Sequence, residues 1–163
     1  MATHPEELVG RQLLRVHRMH PDAVLPFKAT SGAAGWDLCP AQTSWVGFES
    51  TKVPLGWAFE IPQGYKGILS LRSGAPEGLQ LCNGIGLIDS DYRGELKARC
   101  RYLALALDGP EGVDASRELE LLPNRSYFQI TFVPDPQFFL AEVEELSITD
   151  RGDGGFGSTG VER

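Results

Sequence analysis

The sequence predicts an all-β fold, a jelly-roll-like β-barrel that ends in a glycine-rich C-terminal arm. Short apolar and β-branched runs recur along the chain, Gly- and Pro-containing segments separate them, and few windows sustain the period of a helix. The 163 residues, 42% of them hydrophobic, suffice for one domain with a core and are too few for two of ordinary size. We expect one domain, 1–163, with a flexible start over 1–12 and a C-terminal lid over 151–163.

The candidate strands follow one another along the chain, and turn signals lie between them. They are the runs 13–16, 57–61, 67–71, 96–107, 127–133 and 141–146. The separating segments PQG, SGAPEG, DGPEG, LPN and PDP contain the residues that tight turns favour. Leu alternates with Ala over 103–107, which fits a strand or a short helix, and the neighbouring residues favour a strand. The acidic stretch 108–120, with Gly and Pro near its start, is predicted to be a surface loop.

Charge, cysteine content and hydropathy narrow the possible functions. A net charge of −7 argues against binding polymeric nucleic acid, which depends on a basic surface. Cys39, Cys82 and Cys100 are odd in number and form no CxxC pair, so we expect reduced thiols and neither a disulfide framework nor a zinc site. The N-terminus lacks a signal-type apolar run, and nowhere do about 18 apolar residues run together. These features predict a soluble intracellular protein of the cytoplasm or nucleus, without membrane association.

The segment 151–160, RGDGGFGSTG, carries the most specific chemistry. Five of its ten residues are Gly, so it would be disordered unless a ligand ordered it. Glycine amides, the Ser158 and Thr159 hydroxyls and the Arg151 guanidinium are donors suited to phosphate, and Phe156 can stack on a planar ring. The segment therefore predicts binding of a polyphosphate that carries a base; the alternative is a flexible low-complexity tail.

The segment NGIGLIDSDYRGE, at 83–95, concentrates carboxylates beside one Tyr and one Arg. A regular strand would place Asp89 and Asp91 on one face, close enough to repel, an arrangement that suits a general base. The alternative is a hairpin with a polar turn, in which Asp91 pairs with the nearby arginine and Glu95 is solvated.

Three shorter segments carry weaker signals. GAAGWDL at 32–38 permits a tight backbone approach beside Asp37, which could instead cap nearby amides. LRSG at 71–74 has the composition of an anion cradle placed after a strand. Gln129 stands in an otherwise apolar run, where a core amide satisfied by the backbone is the alternative.

Taken in order, these segments resemble the five signature motifs of the trimeric dUTPase family, the dUTP nucleotidohydrolases. The matching segments are AGWDL at 34–38, RSG at 72–74, NGIGLIDSDYRGE at 83–95, Gln129, and RGDGGFGSTG at 151–160. The resemblance covers nearly the whole chain, and the third and fifth motifs are individually specific. It leaves open whether the chain is a viral or a cellular member.

The sequence departs from the family pattern in two motifs. Trp36 stands where a Tyr is usual. The fourth motif, usually Arg, any residue, Ala and Gln, here begins with Ser126 and has Phe128 in place of the alanine. Arg125 is displaced by one position, which in a strand would point it to the opposite face. The resemblance therefore assigns no role to the usual arginine, and Phe128 must occupy space meant for a methyl group.

The resemblance implies that the chain hydrolyses dUTP to dUMP and pyrophosphate, limiting uracil incorporation into DNA and supplying dUMP. A water activated by Asp89 would attack the α-phosphorus, Tyr92 would pack under the deoxyribose and exclude a 2′-hydroxyl, and Phe156 would stack on the uracil. The implied substrate-binding residues are Arg72, Ser73, Gly74, Asn83, Gly86, Leu87, Ile88, Asp89, Tyr92, Lys97, Gln129, Arg151, Phe156, Gly157, Ser158 and Thr159.

The resemblance also implies a cofactor and an assembly. Mg²⁺ would bind through triphosphate oxygens and water, with no direct protein ligand and with Asp37 and Gln129 in the outer shell. A homotrimer would share its active sites, the tail of one subunit covering a site made by the other two. Two other classes remain open, a dUTPase-fold interaction protein without activity and a dCTP deaminase, which acts on the base.

Overall fold

The computed structural model of the chain describes residues 13–104, 114 and 116–154, which form eleven short strands and no helix. Every strand pair is antiparallel. The strands are β1 (Arg15–Arg18), β2 (Trp36–Leu38), β3 (Ser44–Val46), β4 (Thr51–Pro54), β5 (Trp57–Glu60), β6 (Tyr65–Leu71), β7 (Leu79–Leu81), β8 (Gly86–Ile88), β9 (Lys97–Tyr102), β10 (Leu119–Leu121) and β11 (Phe128–Pro134). The predicted all-β fold is confirmed.

The strands form small sheets in which most neighbouring strands are distant in sequence. The largest sheet has the order β2-β11-β6-β8, a second has the order β4-β9-β7, and β1-β5 and β10-β3 form two ribbons. The seven-residue strands β6 and β11 pair along their whole length, from Phe128 opposite Leu71 to Pro134 opposite Tyr65. This ladder forms the centre of the largest sheet, and β8 is an edge strand of that sheet.

Alternating side chains of the strands fill one hydrophobic core. In β9, Ala98 and Cys100 are buried whereas Lys97, Arg99 and Arg101 are exposed, the two-residue period of a half-buried strand. The largest fully buried side chains are Phe128, Leu38, Leu55, Leu69, Leu121, Ile130, Val46, Val53, Pro40 and Cys100. Burying each large apolar side chain stabilises the fold by roughly 1.5–3 kcal/mol, so these residues supply much of its stability.

The strand predictions locate β1, β5, β6, β9 and β11 and miss the other six strands. β5, β6 and β11 lie within or across the predicted runs, and β1 begins two residues later than predicted. The predicted strand 96–107 ends at Tyr102, and its last three residues lie outside the described part of the chain. The predicted strand 141–146 is wrong, because this exposed segment has no ladder partner among the described residues. The predicted loop 108–120 is too long, since β10 begins at Leu119.

The three cysteines are free thiols, as predicted. Burial raises the pKa of the Cys100 thiol to about 12, with a smaller contribution from nearby Cys82. Burial also raises the pKa of Cys39, and the Asp37 carboxylate adds to this effect while Arg72 opposes it. In the part of the chain that is described, no helix is long and apolar enough to cross a membrane.

Candidate active site

A cavity of about 360 Å³ opens beside β8, where the chain turns back towards β9. Its walls include seven residues predicted to bind substrate, which are Asn83, Gly86, Leu87, Ile88, Asp89, Tyr92 and Lys97. Lys52 and Arg99, which face each other across the β4–β9 ladder, also line it and were not predicted. The third-motif residues are therefore brought together in one concave site.

The glycines before and within β8 allow its close packing against β6. A Cβ on Gly86 would lie 3.1 Å from the Leu69 Cβ, so glycine permits the close approach of β8 to β6. Gly84 adopts a φ of 71°, in the left-handed region that favours glycine, and its amide donates to the Leu81 carbonyl over 3.1 Å. The turn before β8 thus depends on the glycine spacing visible in the sequence.

Asp89 is the first residue after β8 and is exposed to solvent. The supposition that Asp89 and Asp91 share one strand face is wrong, because the strand ends at Ile88 and both lie in the following turn, where the Tyr92 amide donates to the Asp89 carbonyl over 3.2 Å. Asp89 also lines a second, polar cavity of about 780 Å³ that contains Lys66. It therefore stands between two cavities.

The pairing suggested for a simple polar hairpin is absent as well. The ion pairs among residues 13–104, 114 and 116–154 include neither Asp91 nor Arg93, whose guanidinium donates to the Ser90 carbonyl over 2.7 Å. Glu95 is not simply solvated, since it accepts from the Gly56 amide over 3.1 Å and lies 3.5 Å from the Lys97 ammonium. The bond from Gly56 connects the segment between β8 and β9 to the turn between β4 and β5.

Tyr92 folds back over the end of its own turn. Its hydroxyl donates to the Glu95 carbonyl over 3.1 Å, and its ring covers Gly94 so closely that a Cβ there would lie 2.6 Å from the Tyr92 Cζ. The sequence analysis assigned no role to Gly94, although its position two residues after Tyr92 is visible in the sequence. The contact fixes the ring at the edge of the cavity.

A second cluster assembles residues of the first, second and fourth motifs. Asp37 of β2 lies opposite Gln129 of β11, and Arg72 follows the end of β6. The Arg72 Nε lies 2.8 Å from Oδ1 of Asp37, whose side chain is only 8% exposed. The suggested alternative for Asp37, a cap on nearby amides, is therefore replaced by an ion pair. The Gln129 Nε2 donates to the Leu71 carbonyl over 3.3 Å.

Ser126 completes this cluster from the position where the family usually has arginine. The Arg72 Nη1 donates to the Ser126 Oγ over 2.5 Å and to its carbonyl over 3.1 Å. Since β11 begins at Phe128, the strand alternation expected for Arg125 does not apply, and Arg125 instead lies over the Tyr127 ring at 5.8 Å. Phe128 is fully buried in the core and does not crowd the site.

The second-motif residues lie apart from Asp89. Arg72, Ser73 and Gly74 line neither of the two cavities that contain Asp89. Arg151 is exposed and donates from Nε to the Gly154 carbonyl over 2.9 Å. Phe156, Gly157, Ser158 and Thr159 lie outside the described residues. Within one chain the second-motif residues and Asp89 therefore do not share a cavity.

The structure leaves one buried acceptor in the second cluster without a partner. Oδ2 of Asp37 is inaccessible and accepts no hydrogen bond from any described residue. No group of three or more His, Cys, Asp and Glu side chains that could hold a metal directly occurs within the described ranges.

Comparison with known proteins gives one family throughout. The family model described as dUTPase matches residues 22–99. The deoxyuridine 5′-triphosphate nucleotidohydrolase of Hydrogenobaculum sp. is 38% identical over 152 residues, which cover 91% of this chain and 98% of that protein. The corresponding protein of Rhizobium johnstonii is 39% identical over 144 residues, which cover 84% of this chain and 85% of that protein.

Solved dUTPase structures share the fold. The Staphylococcus bacteriophage 80alpha dUTPase with dUPNHPP is 26% identical, with a TM-score of 0.76 over 91% of this chain and 99% of that one. A mutant dUTPase from phage phi11 of S. aureus, described with a structural Mg(II) ion, is 24% identical, with a TM-score of 0.71 over 84% of this chain and 100% of that one.

Proposed function

The chain belongs to the dUTPase family, and we propose that it hydrolyses dUTP to dUMP and pyrophosphate. The observation that carries the proposal is the cavity beside β8, which gathers seven residues of the third motif and has Asp89 at its edge. Its volume of about 360 Å³ lies within the range of about 300–1,000 Å³ usual for small-molecule sites.

The uracil would be read by the backbone of β8. Because β8 is an edge strand among the described residues, one of its sides is paired, to β6, and its other side presents amide and carbonyl groups that no described strand pairs. Those groups can complement the alternating acceptors and donor of a uracil edge. A cavity this narrow would exclude the thymine methyl group, and its donors would mismatch the exocyclic amine of cytosine.

Tyr92 would select deoxyribose over ribose. Its ring is held by Gly94 below it and by the hydrogen bond to the Glu95 carbonyl, so it cannot easily yield to an added group. A sugar packed on this ring would have no space for a 2′-hydroxyl. The discrimination against UTP is then steric, with the unpaired hydroxyl adding a desolvation cost.

Asp89 would act as the general base. Its carboxylate is exposed between two cavities and takes part in none of the ion pairs among the described residues, so it is free to accept a hydrogen bond from water. The water gives a proton to Asp89 as its oxygen bonds to the α-phosphorus. The bond from that phosphorus to the bridging oxygen breaks in line, and pyrophosphate leaves with the electron pair.

The triphosphate would be held by residues of the second and fifth motifs. Arg72, Ser73 and Gly74 would contact it from one side, and Arg151 with Gly157, Ser158 and Thr159 would close over it while Phe156 covers the base. Since Arg72 lies outside both Asp89 cavities, a second subunit would have to supply it.

Exposed apolar side chains between β11 and the predicted lid favour such sharing in a homotrimer. Phe139 and Leu140 are fully exposed and Ile148 is 99% exposed in the single chain, a density of apolar surface that favours burial against a partner. The number three follows from the family.

Mg²⁺ fits the second cluster as a hydrated ion. Asp37 offers a buried oxygen without a donor, and Gln129 lies opposite it in the ladder, so these two residues would accept from water ligands of the ion. When bound, the ion would withdraw charge from the triphosphate oxygens. The Arg72 guanidinium, which lies 2.8 Å from Oδ1 of Asp37, would fix the orientation of that carboxylate.

A pyrophosphate-release assay with dUTP, dCTP, dTTP and UTP, with and without Mg²⁺, tests the proposal. We expect turnover of dUTP alone. Asp89→Asn keeps the shape of the side chain but cannot take a proton. We therefore expect kcat to fall by about 10²–10⁴ while the substrate analogue dUpNHpp still binds. Ammonia from dCTP would show a deaminase instead, and nucleotide binding without any product would show an inactive member of the fold.

A further inference from the structure

The guanidinium of Arg72 is held in place by a residue to which no motif gives a role. We propose that Ser126 is a positioning residue, which orients Arg72 so that its free nitrogen and the adjacent Ser73 meet the triphosphate. The proposal rests on the proposed function and extends it to a position where this chain departs from the family pattern.

Arg72 is anchored at three places. Its amide donates to the Tyr127 carbonyl over 2.9 Å, which continues the β6–β11 ladder by one residue. Its Nε lies 2.8 Å from the Asp37 carboxylate, and its Nη1 donates to two oxygens of Ser126. Two fixed nitrogens define the plane of a rigid guanidinium, so its orientation is fully determined.

The anchors leave one nitrogen for a ligand. A guanidinium has five N–H groups, one on Nε and two on each terminal nitrogen. Nε lies against the Asp37 carboxylate and Nη1 donates to Ser126, whereas Nη2 makes no hydrogen bond to any residue in the described ranges. Its two N–H groups remain for phosphate oxygens, to which arginine donates strongly. Without the Ser126 hydroxyl, Nη1 would keep a single, longer contact, and the plane would be less restricted.

The hydroxyl has no comparable structural duty. The turn before β11 is held by backbone bonds, from the Arg72 amide to the Tyr127 carbonyl and from the Arg125 amide to the Leu122 carbonyl. Among the described residues the hydroxyl forms a hydrogen bond only with Arg72. Its removal should therefore act on Arg72 and leave the fold intact.

The test measures binding of two nucleotides that differ in their phosphates. Calorimetry gives the Kd of dUpNHpp and of dUMP for the wild type, Ser126→Ala and Ser126→Thr, and pyrophosphate release gives kcat and KM. For Ser126→Ala we expect dUpNHpp binding to weaken about tenfold, the lower end for a bond to a charged group because the carbonyl contact remains, and dUMP binding to stay unchanged. Ser126→Thr keeps the hydroxyl and should restore dUpNHpp binding.

Two further variants separate positioning from folding. Ser126→Cys keeps the size but offers a poor acceptor, so it should behave like Ser126→Ala even if the alanine variant folds badly. In an Arg72→Ala background, Ser126→Ala should have no further effect on dUpNHpp binding.

Three results would overturn the inference while leaving the proposed function standing. They are wild-type dUpNHpp binding by Ser126→Ala, an equal loss of dUMP and dUpNHpp affinity, and a full additional loss in the Arg72→Ala background. Failure of the wild type to release pyrophosphate from dUTP would instead overturn the proposed function.

Discussion

Gly94→Ala tests the proposed sugar selection without changing any group that would touch the nucleotide. Gly94 has a φ outside the left-handed region, so alanine introduces no backbone strain. Its new methyl group would lie 2.6 Å from Cζ and 2.9 Å from Cε2 of Tyr92. Carbon atoms pack at about 3.5–4.0 Å, so the ring must move outward by about 1 Å.

The displacement has two measurable consequences. Movement of Tyr92 breaks the bond from its hydroxyl to the Glu95 carbonyl, which costs about 0.5–1.5 kcal/mol of the free energy of unfolding. It also opens space beside the sugar. Selection by a group of this size is worth about 1–3 kcal/mol, so we expect the dUTP to UTP ratio of kcat/KM to fall by about tenfold or more.

The assay compares pyrophosphate release from dUTP and from UTP for matched glycine variants. Gly47→Ala is the control, because its Cβ would make only an ordinary contact of 3.5 Å with the Glu118 side chain, away from the cavity. Since the effect passes through the ring, Gly94→Ala should change nothing further in a Tyr92→Ala protein. An unchanged dUTP to UTP ratio in Gly94→Ala, or an additional change without the ring, would refute the reasoning.

Three other perturbations test the lid, the core and the thiols. Deletion of 151–163 should leave the core folded but lower kcat by about 10² or more, since each lost donor to developing phosphate charge costs that much; a fully active truncation contradicts the lid. Phe128→Ala should cost about 3–5 kcal/mol in urea unfolding because the side chain is fully buried, and a loss below about 1 kcal/mol would contradict its core position. Iodoacetamide at pH 8 should label half-buried Cys82 and spare Cys100, because a pKa of about 12 leaves that thiol protonated until the pH nears 12; equal labelling rates by peptide mass spectrometry would argue against it.

Strand length decides which parts of the fold the sequence could predict. β6 and β11 are seven residues long, so their apolar periodicity is readable. β2, β3, β7, β8 and β10 have three residues each, too few for alternation to stand out. The segment 141–146 has strand-like composition but no described partner, and composition alone supplies no ladder.

The candidate site was predicted in its residues but not in its grouping. Local sequence placed Asn83, Asp89 and Tyr92 on either side of the short strand β8, because residues close in sequence remain close in space. The contact between Arg72 and Ser126 spans 54 positions, and it depends on how β11 is aligned against β6. No local pattern states that alignment.

Phe128, whose ring replaces the usual alanine of the fourth motif, accounts for the alignment of β11 against β6. Phe128 lies opposite Leu71 in the ladder and is fully buried, so the core accepts its ring in one register only. A slip by one residue would turn Phe128 outward and carry Ser126 away from Arg72. Phe128 therefore secures the placement of Ser126, and these two departures from the family pattern act together. If so, Phe128→Leu, which keeps an apolar side chain in the same register, should retain the selective binding of dUpNHpp that Ser126 supports, whereas Phe128→Ser should lose it together with stability.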